Sequence, residues 1–190
     1  MNIGIFYGST YGNTSDATRI LKAELGKISG VSVTDKDISF CKIEELLEFD
    51  FVIIGSSTWY VGEVQDDWHP KHAGLANLAW NGKPVALFGT GDQTTYAETF
   101  QDALGIMAEN LERGGARLVG FTSAVGYSHR VSKAQRGSQF IGLALDDDND
   151  RKLTGPRIKA WVAQLAQELK FTQELKLTQQ LKLEGAMVGS

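Results

Sequence analysis

The chain has 190 residues, of which 42% are hydrophobic, and its formal net charge at pH 7 is −4. This length and apolar content suit one globular domain with a substantial core, and no linker interrupts the sequence. No apolar run is long enough to span a membrane, and the N-terminus lacks a basic and hydrophobic signal sequence, so we expect a cytoplasmic protein. The single cysteine, Cys41, excludes an intramolecular disulfide and argues against a cysteine-based metal or iron–sulfur site.

Apolar strand patterns and helix patterns alternate along most of the chain. Strands are predicted at residues 2–7, 31–35, 51–56, 84–89 and 116–122, and residues 142–145 are predicted to resume the last strand after an interruption. Helices are predicted at residues 13–25, 43–47, 64–75, 97–114 and 154–169. This alternation predicts an α/β fold whose parallel sheet is covered on both faces.

The loop after the first predicted strand has the composition of a phosphate site. Its residues are Gly8, Ser9, Thr10, Tyr11, Gly12, Asn13, Thr14 and Ser15. A helix N-terminus offers unpaired backbone N–H groups, hydroxyl side chains add donors, and glycines let the main chain approach an anion closely. The loop fits neither a Walker motif nor a dinucleotide fingerprint, and its lack of lysine suggests a monophosphate held by neutral donors. The alternative is an ordinary capped helix after a tight turn.

Two further polar loops follow strands of the buried type. One contains Ser56, Ser57, Thr58, Trp59, Tyr60, Val61, Gly62 and Glu63, and the other contains Gly89, Thr90, Gly91, Asp92, Gln93, Thr94, Thr95 and Tyr96. In open parallel sheets, ligands bind beyond the carboxyl ends of the strands, so the three loops are expected to converge on one site. Two of these loops bring an aromatic ring to it.

These three loops, together with Asp67, Trp68 and the run at residues 140–146, resemble the flavodoxin family, and specifically its long-chain members. The resemblance covers roughly residues 1–170. It implies a three-layer α-β-α sandwich with a five-stranded parallel sheet of order 2-1-3-4-5. It also implies that residues 125–139 are the long-chain insertion in the last strand.

The resemblance implies a site for non-covalently bound FMN. The residues that it places there are Ser9, Thr10, Tyr11, Gly12, Asn13, Thr14, Ser57, Thr58, Trp59, Tyr60, Val61, Gly62, Gly89, Thr90, Gly91, Asp92, Gln93, Tyr96 and Asp146. Trp59 and Tyr96 are the expected stacking partners of the flavin ring. Asp92 is expected to cap its loop near the pyrimidine edge of the ring. The other tryptophans, Trp68, Trp80 and Trp161, are expected in the core.

The implied function is that of a low-potential one-electron carrier without catalytic residues of its own. It would take electrons from a flavodoxin or ferredoxin reductase and deliver them to a metabolic acceptor enzyme. In the family, the peptide after the tryptophan flips to bond flavin N5 in the neutral semiquinone, and here that would be the Tyr60–Val61 peptide. We expect a monomer that binds neither nucleic acid nor membrane. The alternatives are an FMN-dependent NAD(P)H quinone or azo reductase of the same fold, and a related module that has lost FMN.

Two residues depart from the family pattern. Tyr11 stands where the family usually has threonine, so one phosphate-facing hydroxyl is displaced or lost. Tyr60 stands where glycine, asparagine or aspartate is common, and a bulky residue tolerates positive φ poorly. We therefore predict a less stable semiquinone than is typical of the family.

Charge is a third departure, since the family is usually strongly acidic. Acidic residues cluster at Glu44, Glu45, Glu48 and Asp50, at Glu63, Asp66 and Asp67, and at Asp146, Asp147, Asp148 and Asp150. The insertion carries His129, Arg130, Lys133 and Arg136, and we expect little compensating charge around them. This pattern suggests a different redox partner or a more mixed docking surface, although both clusters could be ordinary solvated surface.

The C-terminal segment carries a six-residue repeat over residues 167–184. Its apolar residues alternate at odd positions, which favours one face of an extended strand over a helix. We therefore divide the chain into an FMN-binding domain at residues 1–170 and an extended or disordered tail at residues 171–190. His69 and His72 could be imagined as a metal pair, but Pro70 lies between them and no carboxylate is suitably spaced, so no metal is expected.

Overall fold

The computed structural model describes the backbone of residues 1–188 and the side chains of residues 1–169. The strands are β1 Asn2–Tyr7, β2 Ser32–Asp37, β3 Phe51–Trp59, β4 Glu63–Val64, β5 Pro84–Thr90, β6 Arg117–Val119, β7 Thr122–Ser123, β8 Gln135–Arg136, β9 Gln139–Phe140 and β10 Leu143–Leu145. The α-helices are α1 Asn13–Leu25, α2 Asp102–Arg113 and α3 Asp147–Val188, and short 3-10 helices lie at Ile38–Phe40, Ile43–Glu48 and His72–Asn77.

The main sheet has the strand order β2-β1-β3-β5-β10, and all neighbours along this path are parallel. β6 is also parallel to β5 and pairs with its first half, at residues 84–86, whereas β10 pairs with residues 88–90. The fifth position in the sheet is therefore shared by two short strands. The predicted order 2-1-3-4-5 with an interrupted last strand is confirmed.

The segment between β6 and β10 forms a second, antiparallel sheet of order β7-β9-β8. This sheet includes Thr122 and Phe140, so the insertion extends beyond the predicted residues 125–139 on both sides. Ala134 and Phe140 in this insertion are fully buried against the core. The Tyr127 hydroxyl donates to the Ala144 carbonyl at 2.6 Å, and burial raises the pKa of Tyr127 to about 12. The insertion is thus a small folded sheet anchored on the end of β10.

Successive residues of the central strands face opposite sides of the sheet, as the pleat requires. Ile53 packs in the core beneath α1 and α3, and its neighbour Ile54 packs in the core beneath α2. Trp68 and Trp80 lie in the α2 core and Trp161 lies in the α1 and α3 core, each at most 1% exposed. The predicted coverage of both faces and the core role of these tryptophans are confirmed.

The helix predicted at residues 64–75 is wrong. That segment contains β4, a series of turns and the 3-10 helix His72–Asn77. Trp68 turns inward and its indole N–H donates to the Gly55 carbonyl at 2.9 Å, while Pro70 has no N–H for a helical hydrogen bond. A tertiary contact and a proline therefore override the local helix pattern.

Other predictions were wrong at their boundaries or helix type. The last helix, predicted from residue 154, begins at Asp147. The helix predicted from residue 97 begins at Asp102, because Gln101 before it has the left-handed φ of 63°. The strand predicted to residue 122 stops at Val119, because Gly120 has φ 78°. The predicted helix at 43–47 is a 3-10 helix.

Helix α3 continues through Val188, with a non-helical residue at Asp150, so the backbone after residue 170 does not adopt the extended conformation that was one of the two predicted alternatives. The side chains of the repeat beyond residue 169 and the last two residues lie outside the described structure. The division of the chain at residue 170 stays a prediction. Within residues 1–188, no helix combines the length and apolar character that crossing a membrane would need.

Candidate cofactor site

Three loops at the carboxyl ends of β1, β3 and β5 surround one cavity of 280 Å³. Its lining residues are Tyr11, Asn13, Ser57, Thr58, Trp59, Tyr60, Thr90, Gly91, Asp92, Tyr96, Thr99, Phe100, Asp147 and Asp148. The predicted convergence of the three loops is confirmed. It follows from the parallel sheet, which brings the carboxyl ends of adjacent strands to one edge.

The first loop presents a row of backbone donors. Helix α1 begins at Asn13, and Gly12 before it has φ 98°, which a residue without a Cβ adopts readily. In the described structure, the backbone N–H groups of residues 10–14 have no hydrogen-bond partner. Adjacent free donors at the positive end of a helix dipole form an anion site that does not need a lysine.

Two hydroxyls of this loop are oriented by neighbouring donors. Ser9 Oγ accepts a hydrogen bond from the Ser15 N–H at 3.3 Å, and Thr10 Oγ1 accepts one from Gln65 Nε2 at 3.2 Å. A hydroxyl that accepts a bond keeps its own hydrogen, so Ser9 and Thr10 remain able to donate to a ligand. Sequence reasoning missed Gln65, because its contact with Thr10 joins residues 55 positions apart.

Trp59 forms one wall of the cavity and is contacted by residues of its own loop and of the first loop. Its indole N–H donates to Ser57 Oγ at 2.6 Å. The Tyr11 ring lies against the indole, with 5.2 Å between ring centroids and 43° between ring planes. Tyr96 from the third loop also lines the cavity and is 55% exposed. Both residues that were expected to stack a flat ring therefore border the cavity, and further aromatic rings line it at Tyr11, Tyr60 and Phe100.

The turn after Trp59 contains a residue in a disfavoured conformation. β3 and β4 are joined by a tight hairpin in which the Gly62 N–H donates to the Trp59 carbonyl at 3.0 Å. Tyr60 in this turn has φ 48°, which is unfavourable for a residue with a Cβ. Gly62 has φ 90°, and a Cβ there would lie 2.7 Å from Asp102 Oδ2. The turn therefore requires glycine at one position and tolerates tyrosine at the other.

Asp92 closes the third loop. Its Oδ1 accepts hydrogen bonds from the Thr94 N–H at 2.8 Å, the Thr95 N–H at 2.9 Å and Asn149 Nδ2 at 2.8 Å. Burial by itself raises the pKa of this carboxyl, but the bonds from Thr95, Asn149 and Thr94 outweigh it and lower the pKa from 3.8 to about 2. Asp92 caps its loop, as the sequence predicts.

Asp146 lies behind this loop and is fully buried. It accepts hydrogen bonds from the backbone N–H groups of Gln93 at 3.1 Å and Asn149 at 3.0 Å. The Gln93 side chain in turn accepts from the Ser128 N–H at 2.6 Å. Asp146 and Gln93 were predicted to contact the cofactor, but neither lines the cavity, and both position the third loop.

The remaining predicted residues either line the cavity or lie elsewhere in the three loops. Those that lie in the loops without lining the cavity are Ser9, Thr10, Gly12, Thr14, Val61, Gly62 and Gly89. The lining residues that sequence reasoning missed are Thr99, Phe100, Asp147 and Asp148. They precede α2 or begin α3, and only the folded sheet brings these two helix ends to the loops.

The cavity is bordered by carboxylates and by no lysine or arginine among the described residues. Asp92, Asp147 and Asp148 all line it. Burial, followed by the charges of Asp92, Asp146 and Asp147, raises the pKa of Asp148. Such a border disfavours additional negative charge on a bound group.

The cations of the insertion are paired, so the expectation of little compensating charge is wrong. The pairs are Arg130 with Glu98 at 2.7 Å, Lys133 with Asp102 at 3.4 Å and Arg136 with Glu112 at 2.7 Å. His129 Nε2 lies 2.6 Å from Gln135 Oε1. The three carboxylates come from the region of α2, which is distant in sequence from the insertion but packs against it.

His69 and His72 do not form part of a metal cluster in the described part of the chain, where no group of three potential metal ligands occurs. Their ring centroids are 6.1 Å apart in an edge-on arrangement. Burial, followed by His69, lowers the pKa of His72. His69 lies exposed in the turns before the His72–Asn77 helix, and His72 is the first residue of that helix.

The fold and the site together define a class: a doubly wound α/β protein with an anion-binding helix N-terminus beside an aromatic cavity. The family model described as Flavodoxin matches residues 5–161. A flavodoxin from Nostoc sp. is 45% identical over 166 residues, which cover 87% of this chain and 96% of that protein. Flavodoxin 1 from Escherichia coli is 42% identical over 168 residues, which cover 87% and 93%.

Solved structures agree with these sequence matches. The structure of Fusobacterium nucleatum flavodoxin bound to flavin mononucleotide has a TM-score of 0.82 at 29% identity, with 88% of this chain and 98% of that chain covered. The chain belongs to the flavodoxin family. Its inserted sheet is the long-chain feature that the sequence predicts.

Proposed function

We propose that this chain is a low-potential one-electron carrier that binds FMN non-covalently. The observation that carries the proposal is the row of free backbone donors at residues 10–14 beside a cavity walled by Trp59 and Tyr96. Neutral donors at a helix N-terminus suit a phosphomonoester, and aromatic walls suit a flat ring system, so the donor set fits FMN. The similar protein from Fusobacterium nucleatum is bound to flavin mononucleotide.

The residues of the three loops divide the binding of FMN among them. The N–H groups of residues 10–14 and the hydroxyls of Ser9 and Thr10 would hold the phosphate. Trp59 and Tyr96 would cover the ring and exclude water, while the backbone of residues 89–93 would bond its polar edge. FMN, when bound, supplies the one-electron redox chemistry.

The carboxylates around the cavity would lower the reduction potential of bound FMN, which makes its reduced form a stronger reductant. Asp92 stays ionised at neutral pH because its pKa is about 2. Asp147 and Asp148 stand on the same border, and no described lysine or arginine lines it. Negative charge added to the ring by reduction is therefore disfavoured, which lowers the potential of the last electron.

The physiological role we infer is transfer between a flavodoxin or ferredoxin reductase and a metabolic acceptor enzyme, by a cytoplasmic monomer. Electron exchange at an exposed ring edge needs no proton-transferring side chain, so no residue of the chain is assigned a catalytic role. The curated relatives are flavodoxins. The quinone or azo reductase alternative is not favoured.

A stepwise anaerobic reduction of the FMN-loaded chain, followed by absorbance, tests the proposal. We expect two resolved one-electron steps and no oxidation of NADPH when a quinone is added without a reductase. Tight FMN binding with a single two-electron step and direct NADPH oxidation would support the reductase alternative. Failure to bind FMN would indicate a module that has lost its cofactor.

A further inference from the structure

Tyr11 connects the phosphate loop to the aromatic wall of the cavity. Its side chain is 83% exposed and makes no hydrogen bond among the described residues, yet its ring lies 5.2 Å from the Trp59 ring. Trp59 is thus contacted at its N–H by Ser57 and on its ring by Tyr11, while the Tyr60 ring lies farther off, at 6.0 Å between centroids. No other residue of the first loop has an aromatic side chain.

We propose that Tyr11 is a positioning residue that holds the Trp59 indole as a preformed wall of the cavity. With tyrosine at this position, contacts with the flavin ring contribute more of the binding free energy, and contacts with the flavin phosphate contribute less. The inference rests on the proposed function and deepens it, because it names unphosphorylated flavin as a second ligand class. This site binds riboflavin more weakly than FMN, but the difference in affinity is smaller than it is in a site with threonine at residue 11.

The physical basis has two parts. An aromatic pair contributes beyond its buried area, and a side chain that is already held loses less conformational freedom when a ligand stacks on it. Tyrosine also removes the short hydroxyl with which threonine could donate to a phosphate oxygen. The first effect strengthens binding of every flavin, whereas the second weakens binding of FMN alone.

The contact itself can be tested without any flavin. Trp68, Trp80 and Trp161 are at most 1% exposed, so acrylamide quenching of tryptophan fluorescence reports mainly on Trp59. We expect Tyr11→Thr to increase this quenching and the matched control Tyr11→Phe, which keeps the ring, to leave it unchanged. Equal quenching in Tyr11→Thr and the unmodified chain would overturn the positioning role.

The ligand preference is tested with the dissociation constants of riboflavin and FMN, measured by quenching of flavin fluorescence. In Tyr11→Thr we expect riboflavin to bind about 3- to 10-fold more weakly and FMN to lose less affinity than that. The dissociation constant of riboflavin divided by that of FMN therefore rises. Tyr11→Phe should keep the ratio of the unmodified chain. The inference would be overturned if Tyr11→Thr lost the same affinity for both flavins. It would also be overturned if Tyr11→Phe changed the two affinities as Tyr11→Thr does.

The outcomes separate this inference from the proposed function. An unmodified chain that binds neither flavin overturns both. A chain that binds both flavins with a ratio unaffected by Tyr11→Thr overturns only the role of Tyr11. Because the Tyr11 side chain is mostly exposed, its replacement is not expected to unfold the protein, and far-ultraviolet circular dichroism of each variant checks this.

Discussion

Tyr60 carries a large side chain at a turn position with φ 48°, where glycine would meet no steric penalty. We expect Tyr60→Gly to widen the separation of the two one-electron potentials of the FMN-loaded chain. The reason is that the turn can then change its backbone conformation between redox states more easily. Anaerobic spectroelectrochemistry measures the separation.

The matched control for this change is Tyr60→Ala, which removes the ring but keeps the Cβ. If the backbone is responsible, alanine should leave the separation near that of the unmodified chain. The same shift in both variants would assign the effect to the lost ring, and no shift in Tyr60→Gly would contradict the predicted strain.

Asp92 gives a pH dependence with a defined sign. Its folded-state pKa of about 2 lies below the ordinary value of 3.8, so between these values the unfolded chain binds more protons. The hydrogen bonds of Asp92 therefore stabilise the fold fully above about pH 5, and this contribution is lost as the pH falls towards about 2. We expect Asp92→Asn to lower the free energy of unfolding of the ligand-free chain at neutral pH.

Urea unfolding of the two proteins across this pH range checks the sign. The difference in unfolding free energy between the unmodified chain and Asp92→Asn should narrow as the pH falls. A difference that stays constant with pH would mean that the carboxylate charge of Asp92 does not contribute.

The first turn of helix α2 contacts both the insertion and the turn that follows Trp59. Asp102 in its first turn is buried, and its Oδ1 accepts a hydrogen bond from the Lys133 N–H at 2.7 Å. Its Oδ2 lies beneath Gly62. We expect Asp102→Ala to lower the unfolding free energy by about 1–3 kcal/mol, because it leaves the Lys133 N–H without an acceptor. Chemical unfolding of the ligand-free chain measures this loss.

Two control variants separate the acceptor from the charge. Asp102→Asn keeps an oxygen for the Lys133 N–H, so it should be less destabilising than Asp102→Ala. The Arg136 pair with Glu112 is 47% and 41% exposed, so Arg136→Gln should change stability by only about 0.2–1 kcal/mol. An Asp102→Asn variant as unstable as Asp102→Ala would assign the effect to the charge.

At the scale of the whole molecule, the cavity is built entirely from residues 11–148. The family model likewise ends at residue 161. We therefore expect a chain ending at residue 170 to bind FMN within about twofold of the affinity of the full chain. Flavin fluorescence titration of both chains, with gel filtration to compare their oligomeric states, checks this. A large loss of affinity would place the tail inside the FMN-binding unit.

Charge also acts at this scale. The formal net charge is −4, and the insertion cations form pairs with carboxylates near α2. The basic patch suggested by the sequence is therefore largely neutralised, while the carboxylates at the cavity remain. If the proposed redox partner presents a basic surface, we expect this distribution to speed its docking at the cavity, a rate effect that salt weakens.

Local patterns in the sequence were sufficient to predict the alternation of strands and helices and the three loops. Buried strands followed by glycine and hydroxyl residues identify loops at the carboxyl edge of a parallel sheet, and family resemblance then supplies the sheet order. Short-range signals also identified Gly12 at the helix start and Asp92 as a cap, whereas the family resemblance supplied Trp59 as a wall. Each of these roles depends on neighbours within a few positions or on one strand end.

The tertiary structure alone decided the contacts between distant segments. Gln65 bonding to Thr10, Phe100 and Asp148 on the cavity border, and Tyr11 against Trp59 all join elements that only the folded sheet brings together. The same reason explains the wrong helix at residues 64–75, where inward packing overrode a local pattern. A sequence pattern reports the preferences of neighbouring residues, whereas these contacts depend on which strand and helix ends the fold places side by side.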